Sequence, residues 1–232
     1  MNSEFDQYAS SYSDLLSDPL RDRFAASEKF FHARKWALIR DFLKRSRRDP
    51  AALSWLDAGC GQGQLLDIAG SSFRQAVGCD PSQEMIGGAT SGRQVHHQPS
   101  AAELPFPDES FDFVTAVCVF HHVHGADRTL LTDSIRRVLK PDGVFCMIEH
   151  NPWNPMTQLI VRRCPVDQDA ELLPSPLAAR LMRHAGLQII ATKYFLYCPE
   201  SLFRVVGGVE SYLEKVPLGG QYAVFGRRPA HA

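Results

Sequence analysis

The stretch LDAGCGQG, residues 56–63, places glycines at 59, 61 and 63 between a short apolar run and the helical pattern GQLLDIAGSSF. Glycine adopts positive φ without penalty and lets a ligand approach the main chain closely. Such a strand-to-helix turn becomes specific when an acidic residue ends the next strand. Here VGCDPS supplies Asp80, seventeen positions after Gly63, where a carboxylate can accept both hydroxyls of a ribose. The expected ligand contains a nucleoside. A pyrophosphate fingerprint, G-x-G-x-x-G, would require glycine at 64, and the chain has Gln64.

Outward from this turn, the apolar runs LSWLDA, AVGCD, FDFVTAVCV and GVFCMIE alternate with the helical stretches SQEMIGGAT and DRTLLTDSIRRVLK. Strands that are apolar along their whole length belong to a parallel sheet covered on both faces. The expected fold is therefore doubly wound, Rossmann-like α/β. SPLAARLMRHAGL reads as a further helix, QIIATKYFLY as a strand, ESLFRVVGGVESYLEKV as an amphipathic insert and QYAVFGRR as the final strand. Residues 1–50, with apolar residues at helical spacing (Phe24, Phe31, Trp36, Ile39, Phe42, Leu43), are expected to form a helical cap. The expected organisation is a single domain over 1–232, with the cap, a cofactor-binding core over 51–150, and a substrate-side loop, helices and final strands over 151–232.

The 232 residues, 44% of them hydrophobic, suffice for one sizeable core. Twenty-five basic and 26 acidic residues leave a net charge of −1, which gives no electrostatic footprint for a polyanion, so nucleic acid is not an expected partner. Six cysteines, none in C-x-x-C spacing, read as reduced thiols in a cytoplasmic protein. No apolar run reaches a membrane span's length of about twenty residues.

Five signatures in order, LDAGCGQG, VGCDPSQEMI, AAELPFPDESFDFV, CVFHHV and RRVLKPDGVF, resemble the class I S-adenosylmethionine-dependent methyltransferases, in particular the small-molecule, quinone-biosynthesis-like branch. The resemblance runs from about residue 5 to the C-terminus and implies a seven-stranded sheet with the last strand antiparallel. It implies S-adenosylmethionine as cofactor and S-adenosylhomocysteine as product. Carried over by position, Gly59, Gly61 and Gly63 would line the methionine part, Asp57 would hold the loop or the amino group, and Asp80 would take the ribose, with Pro81 and Met85 beside the adenine. The competing assignments are a turn cap for Asp57 and a core position for Met85. The family often has aspartate ahead of LPF; this chain has SAAELPF, so Ser100, Ala101 or Ala102 would serve the adenine instead. The same resemblance adds Cys118 to the cofactor wall and gives Tyr8 and Tyr12, in FDQYASSYSDLL, as residues closing over the cofactor, with Arg34 or Lys35 to neutralise its carboxylate.

Methyl transfer from a sulfonium needs in-line alignment, and a protic acceptor must also lose a proton to a nearby base. Ligands on such sheets bind beyond the carboxyl ends of the strands. Two loops there, CVFHHVH and EHNPWNP, offer His121, His122 and His150 as base candidates, and the stiff Asn-Pro loop offers Asn151, Trp153 and Asn154 to the acceptor; the competing assignments are a histidine pair that only fixes its loop and Asn-Pro pairs that only turn the chain. His121, His122 and His124, spaced i, i+1, i+3 with no accompanying carboxylate cluster, give no expectation of a metal. The acceptor is expected to be a small molecule. The alternatives are a non-catalytic binder of the same cofactor, and an NAD(P)-dependent oxidoreductase, against which Gln64 and the missing Y-x-x-x-K pair argue.

Overall fold

The structure, a computed structural model, describes residues 4–25, 27–88 and 94–230. The apolar runs become β1 (Ser54–Ala58), β2 (Gln75–Asp80), β4 (Phe111–Val117), β5 (Leu139–His150), β6 (Gln188–Phe195) and β7 (Gln221–Arg227), joined by β3 (Gln94–His97). Together they form one seven-stranded sheet in the order β3-β2-β1-β4-β5-β7-β6. Strands β1 to β5 pair in parallel, while β7 runs antiparallel to both β5 and β6. This is the doubly wound, Rossmann-like sheet with its antiparallel last strand.

The helices are α1 (Tyr12–Leu15), α2 (Pro19–Phe24), α3 (Glu28–Arg45), α4 (Gln64–Ala69), α5 (Gln83–Gly87), α6 (Asp127–Val138), α7 (Pro155–Arg163), α8 (Ser175–His184) and α9 (Glu200–Leu213). The helix expected over SQEMIGGAT is α5, and residues 89 and 90 of that stretch lie outside the described residues.

Alternate strand residues point to opposite faces, and here both faces are packed. From β5, Phe145 and Met147 join the cluster containing Leu131 and Ile135 of α6 and Met182 of α8. Their neighbours Val144, Cys146 and Ile148 join Ile39, Phe42 and Leu43 of α3 and Leu65 and Leu66 of α4. Hence residues 144–148 of β5 read as a continuous apolar run. Helix α3 does more than cap the fold: Phe42 stacks on Phe225 of β7 with ring centroids 3.8 Å apart, so α3 is part of one helical layer. The shorter α1 and α2 instead lie at the cavity described below. Strand β3 carries no apolar alternation because QVHH is largely exposed at the sheet edge; it is held by backbone pairing to β2, from Val77↔Gln94 to Asp80↔His97.

Candidate active site

The carboxyl ends of β1, β2, β4 and β5 open into a cavity of about 820 Å³, a size suited to a cofactor with a small co-substrate. The glycine loop forms its floor. Gly59, Gly61 and Gly63 have φ of +71°, +53° and +82°. A Cβ at Gly59 would stand 2.5 Å from Val119 Cγ2, so this position demands glycine twice, for its dihedral and for its space. The amides of Gly59 and Cys60 donate to the carbonyl of Cys79 at 2.8 and 3.0 Å, which ties the loop to the end of β2.

Asp80 sits where β2 meets the loop. Its Oδ2 accepts from Gly61 N at 2.8 Å and its Oδ1 from Ser82 N at 2.9 Å. Each carboxylate oxygen has a second lone pair, which leaves acceptor capacity toward the cavity that Asp80 lines. Burial pushes its carboxyl up, against the two amide bonds that favour the anion. Pro81, Met85, Ser100 and Ala101 line the same part of the cavity, together with Gln98, which the sequence did not single out. Gln98 is buried and donates to Ser100 O at 2.7 Å, so it ties down the start of the SAAELPF segment at the cavity.

Several expected contacts lie elsewhere. Asp57 is buried inside β1 and does not line the cavity; it accepts from Thr115 Oγ1 at 2.6 Å, and burial lifts its carboxyl to about 7. Gly63 serves as the N-cap of α4, and Ala102 also stays off the cavity wall. Of the two tyrosines, Tyr12 lines the cavity, and burial raises its phenol. Tyr8 does not line it, and packs edge-on against Phe5, ring centroids 6.2 Å apart. Arg34 is ion-paired to Glu210 and lies over the Phe203 ring, which commits it to α9. Lys35 is buried at the cavity wall, its Nζ 3.8 Å from Cys118 Sγ. Lys35 and Arg21 are both basic residues on the cavity wall.

Behind the part of the wall formed by Val119 and His121 stands Glu149, the last buried acid of β5. Its Oε1 accepts from Val119 N and Phe120 N at 2.9 and 2.7 Å, and its Oε2 accepts from His121 Nδ1 at 2.5 Å. One carboxylate therefore fixes the loop after β4. His121 Nε2 in turn lies 3.5 Å from Asp167 Oδ1, and His122 Nε2 lies 3.3 Å from the same oxygen. Burial opposes charge on His121, but Glu149 and Asp167 override it and raise its value to about 10. Burial lowers His122 despite Asp167. His124 takes no part: it faces Glu171 at 3.6 Å on an exposed surface.

His150 also lines the cavity, its ring centroid 5.1 Å from that of His121. Beside it is Cys118, held at φ +56° and approached by Gln221 Nε2 at 3.4 Å. Burial pushes this thiol up, but Lys35 and His150 draw it down to about 7.

The EHNPWNP loop proves mainly architectural. Asn151 is fully buried: it donates to the carbonyls of Pro217 and Gly219 at 3.1 and 2.8 Å and accepts from Trp153 N at 3.1 Å. Asn154 caps α7 by accepting from Thr157 N at 2.9 Å and donates to Leu218 O at 2.7 Å. Asn154 still touches the cavity, whereas Asn151 and Trp153 do not; the indole is 46% exposed on the outside. Buried amides seek partners, and the chain around 217–220 supplies them.

Glu149 and Asp167 were not anticipated. Glu149 stands beside His150 in the quoted loop and shows itself only as an acid closing an apolar strand. Asp167, in RRCPVDQD, carries no signal at all.

Residues 56–147 match the family model described as a methyltransferase domain. Among curated proteins, the uncharacterized methyltransferase YcgJ of Bacillus subtilis is 35% identical over 102 residues, covering 41% of this chain and 40% of that protein. The demethylmenaquinone methyltransferase of Symbiobacterium thermophilum is 32% identical over 148 residues, covering 58% and 57%. Proteins named as tRNA methyltransferases, from Arabidopsis thaliana and Homo sapiens, are also among the relatives. The chain spans about half or less of the length of most of these relatives. The crystal structure of a SAM-dependent methyltransferase from Thermotoga maritima, titled a possible histamine N-methyltransferase, superposes with a TM-score of 0.70 at 19% identity, covering 97% of each chain. That likeness shows the shared fold.

Proposed function

We propose that the chain, whose residues 56–147 match the methyltransferase domain model, is a class I, S-adenosylmethionine-dependent enzyme that transfers the methyl group of that cofactor to a small-molecule acceptor. The observation that carries the reading is that one cavity is lined both by Gly59, Gly61 and Asp80 and by His121, His122 and His150. The cofactor supplies an electrophilic methyl on a sulfonium. Asp80 fits its ribose through the free lone pairs of its carboxylate, and Lys35 fits its carboxylate.

His150 is the base. Both ring nitrogens of His121 face carboxylates, and His122 has Nε2 against Asp167 and its ring edge-on to Phe5 at 4.8 Å between centroids. His150 lines the cavity hydrogen-bonded to Cys118, with Glu149 and Asp167 near enough to act on it by charge. A positioned base contributes about 10²–10⁴-fold. His150→Ala is therefore expected to lower turnover at least about a hundredfold while S-adenosylhomocysteine affinity, measured by calorimetry, stays within about twofold. Trp153→Ala, on the outer surface, should leave both unchanged. Full turnover by His150→Ala would remove it from the chemistry.

The cavity of about 820 Å³ and the near-neutral charge support a small acceptor over a nucleic acid. Incubation with methyl-labelled cofactor and a panel of quinols, phenols and amines, with tRNA as a separate arm, tests this by mass shift. Label appearing in tRNA alone would overturn the small-molecule assignment, and no label in any arm would count against catalysis.

A further inference from the structure

We propose that His121, His122 and Asp167 form a binding site for one divalent transition-metal ion on the cavity wall. Resting on the methyl-transfer reading, its role would be to hold an acceptor through oxygen. The expectation from sequence set a metal aside because three neighbouring histidines lacked a carboxylate. The fold turns His124 away to Glu171 and brings in Asp167, from the turn Pro165–Asp167 that follows α7.

The geometry has the marks of a ligand set. One donor atom from each of the three residues falls within 4.8 Å of the other two. Asp167 Oδ1 stands 3.5 Å from His121 Nε2 and 3.3 Å from His122 Nε2. Donors bound to one ion at about 2.0–2.2 Å stand roughly 3–3.5 Å apart, a spacing that both carboxylate–imidazole pairs already have.

The outer shell is in place as well. A metal-ligating histidine characteristically gives its other N–H to a carboxylate, which aims the ligating nitrogen. His121 gives Nδ1–H to Glu149 Oε2 at 2.5 Å, and Glu149 is itself pinned by two backbone amides. His121 is almost wholly buried, whereas the His122 and Asp167 side chains keep 19% and 11% exposure, and all three line the cavity. Remaining coordination positions would therefore open to the acceptor. Two imidazoles and one carboxylate suit zinc, iron, cobalt or manganese better than magnesium or calcium. An acceptor with a hydroxyl next to a second oxygen donor would fill two open positions and present its hydroxyl beside His150.

The test uses the full chain stripped with chelator and titrated with Co²⁺, followed by visible absorption, and with Zn²⁺ by calorimetry. About one equivalent of either metal is expected to bind. Asp167→Asn and His122→Ala, each checked for fold by circular dichroism, should weaken binding at least about tenfold, and His124→Ala should not. S-adenosylhomocysteine titrated into the same preparations separates the two readings. Cofactor binding without metal uptake would overturn the metal site alone, and metal uptake without cofactor binding would overturn the methyl-transfer reading alone. Binding that is equally tight in Asp167→Asn and His122→Ala would also overturn the site, leaving the cluster as histidines held by hydrogen bonds.

Discussion

Replacing Asp80 with alanine is expected to weaken S-adenosylhomocysteine binding by about 10²–10⁴-fold in calorimetry while shifting the melting temperature of the ligand-free protein by no more than about 3 °C. A hydrogen bond to a charged group contributes about 1.5–3 kcal/mol, and two ribose hydroxyls on one carboxylate make two such bonds. At about 1.4 kcal/mol per decade, their loss gives the stated factor. Stability responds differently. Burial holds the Asp80 carboxyl above its ordinary value, so the folded state binds its proton more tightly than the unfolded chain does. At neutral pH the ionised side chain then costs folding free energy. Its removal frees that cost while losing the bonds from Gly61 N and Ser82 N. The two effects oppose each other. Asp80→Asn, which keeps an acceptor but not the charge, should fall between wild type and alanine. Unchanged affinity in both variants would mean that the nucleoside is held elsewhere.

Much of this end of the site could be read from the chain because its signals are local. The glycines, the strand before them and Asp80 lie within 27 residues, Ser54 to Asp80, and each obeys a backbone rule that does not depend on distant partners. The sheet was equally legible, since β1, β4 and the inner part of β5 are buried on both faces and so are apolar at most positions. Strand β3 was not, because an exposed edge strand needs only backbone pairing and selects no residue type. The acceptor end resists reading for a different reason. His121, Glu149 and Asp167 meet only because β4, β5 and the turn after α7 end at one place, and nothing near Asp167 in sequence announces that meeting. Asn151 shows the same difficulty in reverse. A polar side chain on the ligand side looks like a substrate contact until its acceptors appear, and here they are the carbonyls of Pro217 and Gly219, more than sixty residues away.

The second large effect concerns folding. Glu149→Ala is expected to lower stability by about 3–5 kcal/mol, the cost typical of removing one partner from a buried charged pair. In a chain of this size each kcal/mol moves the melting temperature by about 2–4 °C, so a fall of roughly 6–20 °C should appear in thermal circular dichroism. Glu149 is wholly buried and holds three donors, Val119 N, Phe120 N and His121 Nδ1. Alanine would strand all three away from water, and each unsatisfied buried group costs about 1–3 kcal/mol. Glu149→Gln keeps one oxygen for the two amides and loses only the acceptor for His121, so it should recover a large part of the deficit. That ordering separates the two roles of the side chain, anchor of the loop after β4 and partner of the imidazole. If Glu149→Ala melted within about 2 °C of wild type, the loop would have another anchor, and the fixed aim of His121 toward Asp167 would lose its physical basis.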